Sequence, residues 1–255
     1  MSKQIKLLEE QLDCQLFLRK GPQLVLTKQA ERMLDTVSSA MDTIRVGIAN
    51  LRRTNDTTLT VTVLPSFTSY WLLPRLAEFE SRHPDINVRL ASAYTNIDFS
   101  INTDIDAGIR LGLGSWPGLH AEQITRDRMC PVCVSALAKS IKTVADLQHQ
   151  RIFVDPHPYD DWERLFAASD QPNLSKERRY YDDSGARIRG ALDGQGACLL
   201  REELILDYLA SGALVRLFDV EFISAIHYWF VCPPARLNDT KIVCFRNWLM
   251  EHATH

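Results

Sequence analysis

Residues 59–90 read LTVTVLPSFTSYWLLPRLAEFESRHPDINVRL and contain both periodicities of an α/β fold. Apolar and polar residues alternate over 59–63, which predicts a strand. A helical pattern follows over 72–79 and ends at Pro84, and residues 86–90 predict a second strand. A strand, a helix and a strand in this order indicate a parallel sheet covered by helices.

The same alternation continues to the C terminus and extends the α/β region over residues 59–255. Further strands are predicted at 106–111, 129–134, 151–154, 178–181, 197–200, 213–217 and 226–231. Helices are predicted at 160–168, 184–192, 202–209 and 240–251. The sequence shows no internal repeat and no low-complexity tract, so a repeat array is not expected.

Before this region, the pattern predicts a short amphipathic helix and a short strand. Ile5, Leu8 and Leu12 lie on one face of a helix over residues 2–12. A Gly-Pro turn precedes the apolar strand at 24–26. Thr27 then stands where a helix N-cap is expected, because its hydroxyl can accept a bond from an unpaired amide of the next helix.

A long helix is predicted over 28–53, followed by a polar linker at 54–58. Its apolar residues alternate in steps of three and four, the spacing by which two helices wind around each other. This pattern favours dimerisation over packing against the rest of the chain. The positions of the seam are Leu34, Val37, Met41, Ile44, Ile48 and Leu51.

The composition is that of a soluble globular protein. The chain has 255 residues, a net charge of −3 and 45% hydrophobic residues, and no apolar run approaches the ~18 residues that span a bilayer. No secretory signal is visible, so the expected location is the cytoplasm. The six cysteines lie in apolar surroundings, which is typical of reduced, packed thiols.

No catalytic or metal-binding motif is convincing. Cys130 and Cys133 have C-x-x-C spacing, but they lie in an apolar strand and no second pair exists. Asp155, His157 and the acidic residues at 160–161 are better explained as a solvated loop. The sequence predicts no enzyme, no metal site and no cofactor.

A binding site is predicted where strands turn into helices. The segment Pro65-Ser66-Phe67-Thr68 follows the first strand, and its free amides and hydroxyls could bind a carboxylate. Simple capping by Ser66 is the alternative. A similar turn at Ser184 could face the same cleft from a second lobe. The weaker candidates for the walls of that cleft are Thr95, Asn96, Asp155 and Trp162.

Segments along nearly the whole chain match one family in order and spacing. In the first part they are SKQIKLLEEQL (2–12), LF (16–17), Arg19 and LVLT (24–27). In the second part they are LPSF (64–67), WLLPRL (71–76), HPDI (83–86), DF (98–99), IRLG (109–112), WPGL (116–119), PVC (131–133), GQG (194–196) and FRNWL (245–249). The chain resembles the LysR-type transcriptional regulators, and its second part resembles the branch typified by the glycine-cleavage activator.

This resemblance implies a winged helix-turn-helix region over 1–27, a linker and dimerisation helix over 28–53, and an effector-binding domain over 59–255. The domain would be α/β and built like a periplasmic binding protein, with ligand between two lobes. The first lobe would comprise about 59–130 plus 232–255, and the second about 131–231. Family members carry two further helices before the recognition helix, so the winged helix-turn-helix is expected to be partial here.

The resemblance also suggests which residues contact DNA. Composition alone favours a solvated helix face for residues 2–12, whereas the family match favours contacts with base edges and phosphates. The candidate residues are Ser2, Lys3, Gln4, Lys6, Arg19, Lys20 and Thr27.

The expected function is therefore a ligand-responsive transcriptional regulator. It would act as a homodimer or tetramer on promoter DNA, if the winged helix-turn-helix is completed. Its effector would be an anionic or amino-acid-like metabolite. One rival is a truncated ligand-binding and dimerisation module that no longer binds DNA by itself. The other is a periplasmic-type solute-binding protein, disfavoured by the absent signal peptide and the added coiled coil.

Overall fold

Contacts divide the chain into two units, Met1–Asp56 and Thr57–His255, in this computed structural model. The structure describes residues 3–21, 23–52, 57–94, 98–99, 101–156, 161–169, 175, 177–218 and 222–253. Within those ranges, no helix is long and apolar enough to cross a membrane.

The first unit consists of a helix, a hairpin and a long helix. In chain order they are α1 (Lys3–Leu12), β1 (Phe17–Lys20), β2 (Gln23–Leu26) and α2 (Lys28–Arg52). The Glu9 carboxylate accepts the backbone N–H groups of Leu16 at 2.8 Å and Phe17 at 3.1 Å, which ties α1 to the antiparallel hairpin. The predicted cap of α2 is confirmed, because the Thr27 hydroxyl accepts the N–H of Ala30 at 3.1 Å.

The second unit alternates strands with helices. Its first half contains β3 (Thr58–Val63), α3 (Pro65–Phe67), a π-helical turn (Thr68–Leu72), α4 (Leu73–Arg82), β4 (Asn87–Ser92), β5 (Ala107–Gly112), β6 (His120–Gln123), β7 (Met129–Cys133), α5 (Ser135–Ala138), a 3-10 helix (Val144–His149) and β8 (Arg151–Val154). Its second half contains α6 (Asp161–Ala168), β9 (Glu177–Tyr180), α7 (Ser184–Leu192), β10 (Ala197–Arg201), a 3-10 helix (Glu202–Leu204), α8 (Leu206–Ala210), β11 (Val215–Arg216), β12 (His227–Cys232), a 3-10 turn (Pro234–Arg236) and α9 (Thr240–Glu251).

The strands form two mixed sheets, one in each lobe. The first has the order β4-β3-β5-β12-β6 and the second the order β11-β7-β10-β8-β9. In the first, β3 is parallel to β4 and β5, whereas β12 is antiparallel to β5 and β6. In the second, β8 is parallel to β9 and β10, whereas β7 is antiparallel to β10 and β11. The predicted α/β fold with two lobes is confirmed, but each sheet is parallel only in part.

The sheets place the second lobe boundary earlier than the sequence did. Residues up to 231 were expected in the second lobe, but β12 pairs with β5 and β6 of the first. An apolar strand buried on both faces fits the centre of either sheet, so its composition does not reveal its partners.

Two chain segments, 125–128 and 222–226, connect the lobes and lie side by side. The Ser224 N–H donates to the Asp127 carbonyl at 3.0 Å. The Asp127 carboxylate is fully buried and lies 3.4 Å from Nε of Arg201. The two connecting segments are thus hydrogen-bonded to each other and are not two separate linkers.

One apolar core continues from the first lobe into the second. Its buried members include Val61 and Phe245 on one side and Phe153 and Ile188 on the other. Because this apolar surface is shared, the lobes stabilise each other.

The helix after β3 widens into a π-turn at Thr68–Leu72, where the Leu73 N–H bonds to the Thr68 carbonyl. Pro74 gives the physical reason. Its ring has no N–H and would clash with the Tyr70 carbonyl in a regular helix, and the wider turn relieves that contact.

Glu203 lies in the 3-10 helix after β10, and its Oε2 atom has no hydrogen-bond partner among the described residues. Burial, and next the charge of Asp127, raise the pKa of Glu203 to about 7. Below pH 4.5 the carboxyl group is protonated in both folded and unfolded chains. As the pH rises to 7, the unfolded chain loses this proton before the folded protein does. The free energy of unfolding should therefore decrease by about 3 kcal/mol.

The variant Glu203→Gln is expected to lack this loss. Denaturant unfolding of both proteins at pH 5 and pH 8 measures it, as the pH-dependent part of the free energy of unfolding. The same decrease in wild type and variant would show that Glu203 does not titrate in this interval.

Candidate functional site

A cleft of about 390 Å³ lies between the two lobes. Its walls come from segments at the carboxyl ends of parallel strands, the usual place for ligands in open α/β sheets. Leu64 and Tyr94 follow β3 and β4, while Asp155 and Asp182 follow β8 and β9. The complete lining is Leu64, Ser66, Tyr94, Arg110, Leu111, Asp155, Pro156, Asp182, Ser184, Ile226 and Tyr228.

Two hydroxyl groups of the first lobe lie together in this cleft. Ser66, at the start of α3, lines the cleft together with Tyr228 of β12, and its hydroxyl partly offsets the effect of burial on the pKa of that phenol. Burial raises the pKa of Tyr228 to about 12, so the phenol stays protonated at neutral pH and can both donate and accept. Phe67 does not line the cleft: it is fully buried, with its ring centroid 4.4 Å from that of Tyr228.

The second lobe contributes Ser184, the first residue of α7. The Ser184 hydroxyl accepts an N–H from Arg187 at 2.8 Å, and the same guanidinium lies 2.6 Å from Asp155. The Asp155 charge is therefore balanced from within the second lobe.

The N-terminus of α7 differs from the prediction. Its amides were expected to be available to a carboxylate, but Asp183 accepts the N–H groups of Gly185 and Ala186, each at 3.0 Å. An aspartate directly before a helix is an N-cap, and this local bond satisfies the amides that a ligand would need. The prediction for these amides was wrong, whereas Ser184 itself lies in the cleft.

Arg110 of β5 is the cationic residue in the lining, and the sequence prediction missed it. It is only 3% exposed and donates to the Thr62 hydroxyl at 2.8 Å and the Ala93 carbonyl at 3.3 Å. Burial lowers the pKa of Arg110 to about 10, so it remains charged at neutral pH. An arginine within an otherwise apolar strand was the available signal, because such a charge is rarely fully buried unless it is paired.

Two other predicted wall residues lie elsewhere. The Thr68 hydroxyl donates to the Leu64 carbonyl of its own helix at 3.1 Å. Trp162 is buried in the core of the second lobe and donates from Nε1 to the Phe153 carbonyl at 2.8 Å. Both have apolar surroundings. The sequence pattern of a strand that turns into a helix does not show whether a side chain faces such surroundings or a cleft. Thr95 and Asn96 lie outside the described residues.

The cysteine pair of β7 has the chemistry of packed thiols. Cys130 and Cys133 are both buried, and burial raises the pKa of each to about 11. Both thiols are therefore protonated at neutral pH, which disfavours nucleophilic or metal-binding chemistry. Across the described part of the chain, no group of three or more potential metal ligands comes together.

In the first unit, the side chains of Lys3, Gln4 and Lys6 are exposed on α1, and Arg19 is exposed on β1. The Thr27 hydroxyl donates to the Gln15 carbonyl at 2.9 Å in addition to capping α2, so its bonds are internal. Ser2 and the side chain of Lys20 lie outside the described part.

The seam of α2 is exposed within the first unit. Four of its apolar side chains are about half exposed: Leu34 at 52%, Val37 at 45%, Met41 at 50% and Ile44 at 55%. The side chains of Ile48 and Leu51 are outside the described part. A row of exposed apolar residues on one helix face is typical of an interaction surface.

Comparison with known proteins places these features in a family. The family described as "LysR substrate binding domain" matches residues 52–254. The glycine cleavage system transcriptional activator of Escherichia coli K12 is 29% identical over 99% of this chain and 84% of that protein. The HTH-type transcriptional activator AmpR of Pseudomonas aeruginosa is 31% identical over 99% of this chain and 86% of its own length.

Solved structures agree on the fold. The effector domain of Pseudomonas aeruginosa AmpR superposes with a TM-score of 0.68 at 29% identity, covering 76% of this chain and 94% of that one. CrgA, a LysR-type regulator from Neisseria meningitidis, has a TM-score of 0.67 at 20% identity, and the match covers 97% of this chain and 87% of that one. With a family match over most of its length and relatives that are transcriptional activators, this chain belongs to the LysR-type transcriptional regulators and carries their two-lobed effector-binding domain.

Proposed function

We propose that the effector of this regulator is a small anionic or amino-acid-like metabolite held between the two lobes. The observation that carries the proposal is the convergence of Ser66 from the first lobe and Ser184 from the second on one cleft. A few polar groups in a largely apolar cavity are typical of small-molecule sites. Arg110 and Asp182 add charges of both signs to the same lining.

Binding would act by changing the balance between lobe arrangements. A ligand that contacts both lobes favours the arrangement in which they are close together, by as much as its affinities for the two arrangements differ. Tyr70 of the first lobe already lies against the second, with its ring centroid 6.3 Å from that of Tyr208. These contacts are the ones that an effector would strengthen or release.

For the first unit, we infer that α1 contacts promoter DNA and that α2 pairs with a second copy of the chain. The exposed Lys3, Gln4, Lys6 and Arg19 support the first inference, since such side chains bind phosphates and base edges. The half-exposed seam of α2 supports the second. Ser2, Lys20 and Thr27 remain candidates for DNA contact from the family resemblance.

Removing the two serine hydroxyls should weaken effector binding about 5- to 150-fold, because each lost hydrogen bond is worth about 0.5–1.5 kcal/mol. The test compares wild type with the double variant Ser66→Ala/Ser184→Ala in a thermal-shift titration. The panel contains the common amino acids and small carboxylates, with glycine first because one relative is named for the glycine cleavage system. Wild type should gain melting temperature with at least one member.

The control is Thr68→Val. It also removes a hydroxyl near Ser66, but that hydroxyl is bonded within its own helix, so the ligand response should be kept. An equal response in wild type and the double serine variant, or no response to any member of the panel, would exclude this cleft as a site for such metabolites.

A further inference from the structure

Four arginines are almost fully buried in the part of the chain that the structure describes, and they differ in one respect. Arg187 is paired with Asp155, Arg201 with Asp127 and Arg236 with Asp106. Arg110, equally buried, forms no ion pair with any described residue and has only neutral acceptors. It is also the one of the four that lines the cleft.

A buried charge without a partner is unfavourable, because water is lost and nothing replaces its interaction. Burial lowers the pKa of Arg110, because the charged form is less stable there than in water. The guanidinium has five N–H groups, of which two donate to Thr62 and Ala93. The remaining donors and the net positive charge suit an anionic oxygen group in the cleft.

The local sequence makes room for this side chain. Gly108 lies two residues before Arg110 on the same face of β5, as the period of a strand requires. A Cβ atom at position 108 would lie 3.0 Å from Cγ2 of Thr62 and 3.5 Å from Nε of Arg110. The glycine therefore keeps open the space beside the guanidinium and the threonine that holds it.

We propose that Arg110 is the anion-binding residue of the cleft, and that the effector must carry a carboxylate or similar oxyanion to pair with it. The proposal deepens the proposed function and rests on the cleft being the effector site. The ligand completes in the first lobe the kind of ion pair that Asp155 and Arg187 already form in the second. Neutral ligands of the same shape would leave the buried charge unpaired and would be rejected.

The first experiment uses pairs of probes that differ in charge but not in shape, on the full chain. Acetate and acetamide form one pair, and glycine and glycinamide the other, with chloride to match ionic strength. We expect the carboxylate of at least one pair to raise the melting temperature of wild type more than its amide does. In Arg110→Gln the carboxylate should bind at least tenfold more weakly, and the difference between the pair should disappear.

The second experiment needs no ligand and separates binding from a structural role. An arginine placed for binding is unfavourable in the free protein, so Arg110→Met should keep or raise the melting temperature. Arg236→Met is the matched control, since it breaks a buried pair whose residues do not line the cleft and should lower the melting temperature by several degrees. A decrease in Arg110→Met as large as that in Arg236→Met would assign Arg110 to the fold and overturn the proposal.

The outcomes also separate this proposal from the one on which it rests. If carboxylate and amide bind equally, and Ser66→Ala/Ser184→Ala weakens both while Arg110→Gln weakens neither, the cleft is the site but the charge requirement is wrong. If neither the arginine variant nor the serine variant changes the melting-temperature shift caused by any of the four probes, both proposals fail.

Discussion

Substituting Asp106→Asn is expected to lower the melting temperature of the second unit by on the order of 10 °C. Asp106 is fully buried directly before β5, where it pairs with Arg236 and Lys241 and accepts the N–H of Thr60 at 2.7 Å. The amide removes the one negative charge between two cations. Breaking a buried ion pair from one side costs about 3–5 kcal/mol, and 1 kcal/mol corresponds to about 2–4 °C in a domain of this size.

Calorimetry or circular dichroism at neutral pH measures the change, and Asp193→Asn is the control. Asp193 forms an exposed pair with Arg189, at 2.9 Å, in which the arginine side chain is 74% exposed. Exposed pairs contribute about 0–1 kcal/mol, so the same chemical change should shift the melting temperature by a few degrees at most. Equal shifts for the two variants would show that burial does not set the strength of the Asp106 pairs.

The second large effect is expected in the linker helix. If α2 pairs two chains as we propose, Val37→Glu/Met41→Glu should weaken self-association at least about 100-fold. Each seam side chain contributes about 1.5–3 kcal/mol when buried, and the two substitutions remove two of them from each chain while placing like charges opposite each other. Analytical ultracentrifugation across a concentration series measures the dissociation constant.

Thr36→Glu serves as the control, because it adds one glutamate, half the charge of the double variant, at an exposed position outside the seam. This variant should self-associate as strongly as wild type does. Binding to the DNA upstream of the gene, followed over a salt series, should weaken in the seam variant only, since a dimer contacts more phosphates than a monomer. Unchanged association in the seam variant would show that α2 does not pair through these residues.

The sequence predicted the elements of the second unit where a strong period and clear ends coincide. The helix Thr240–Glu251, the helix Ser184–Leu192 and the strand Arg151–Val154 were predicted at the observed bounds. The strand His120–Gln123 was missed, because four residues of mixed polarity show no period, and it exists by pairing with β12. Tertiary pairing, not local preference, creates that strand.

The cleft was predictable only in part. Ser66 and Ser184 could be found because a strand-to-helix turn has a local signature. Tyr228 and Arg110 could not be placed, since they lie inside strands and reach the cleft through the order of strands in the first sheet. Asp183 shows the opposite error, in which a local signature was recognised but assigned to a ligand instead of its own helix cap.

The paired segments that connect the lobes have a mechanical consequence. A single covalent linker would let one lobe twist, slide and tilt relative to the other. Two antiparallel segments bonded to each other resist twisting and sliding, and they leave bending across the pair as the soft motion. Bending at this connection changes mainly the angle between the lobes, so an effector bound in the cleft, as we propose, would act by setting that angle.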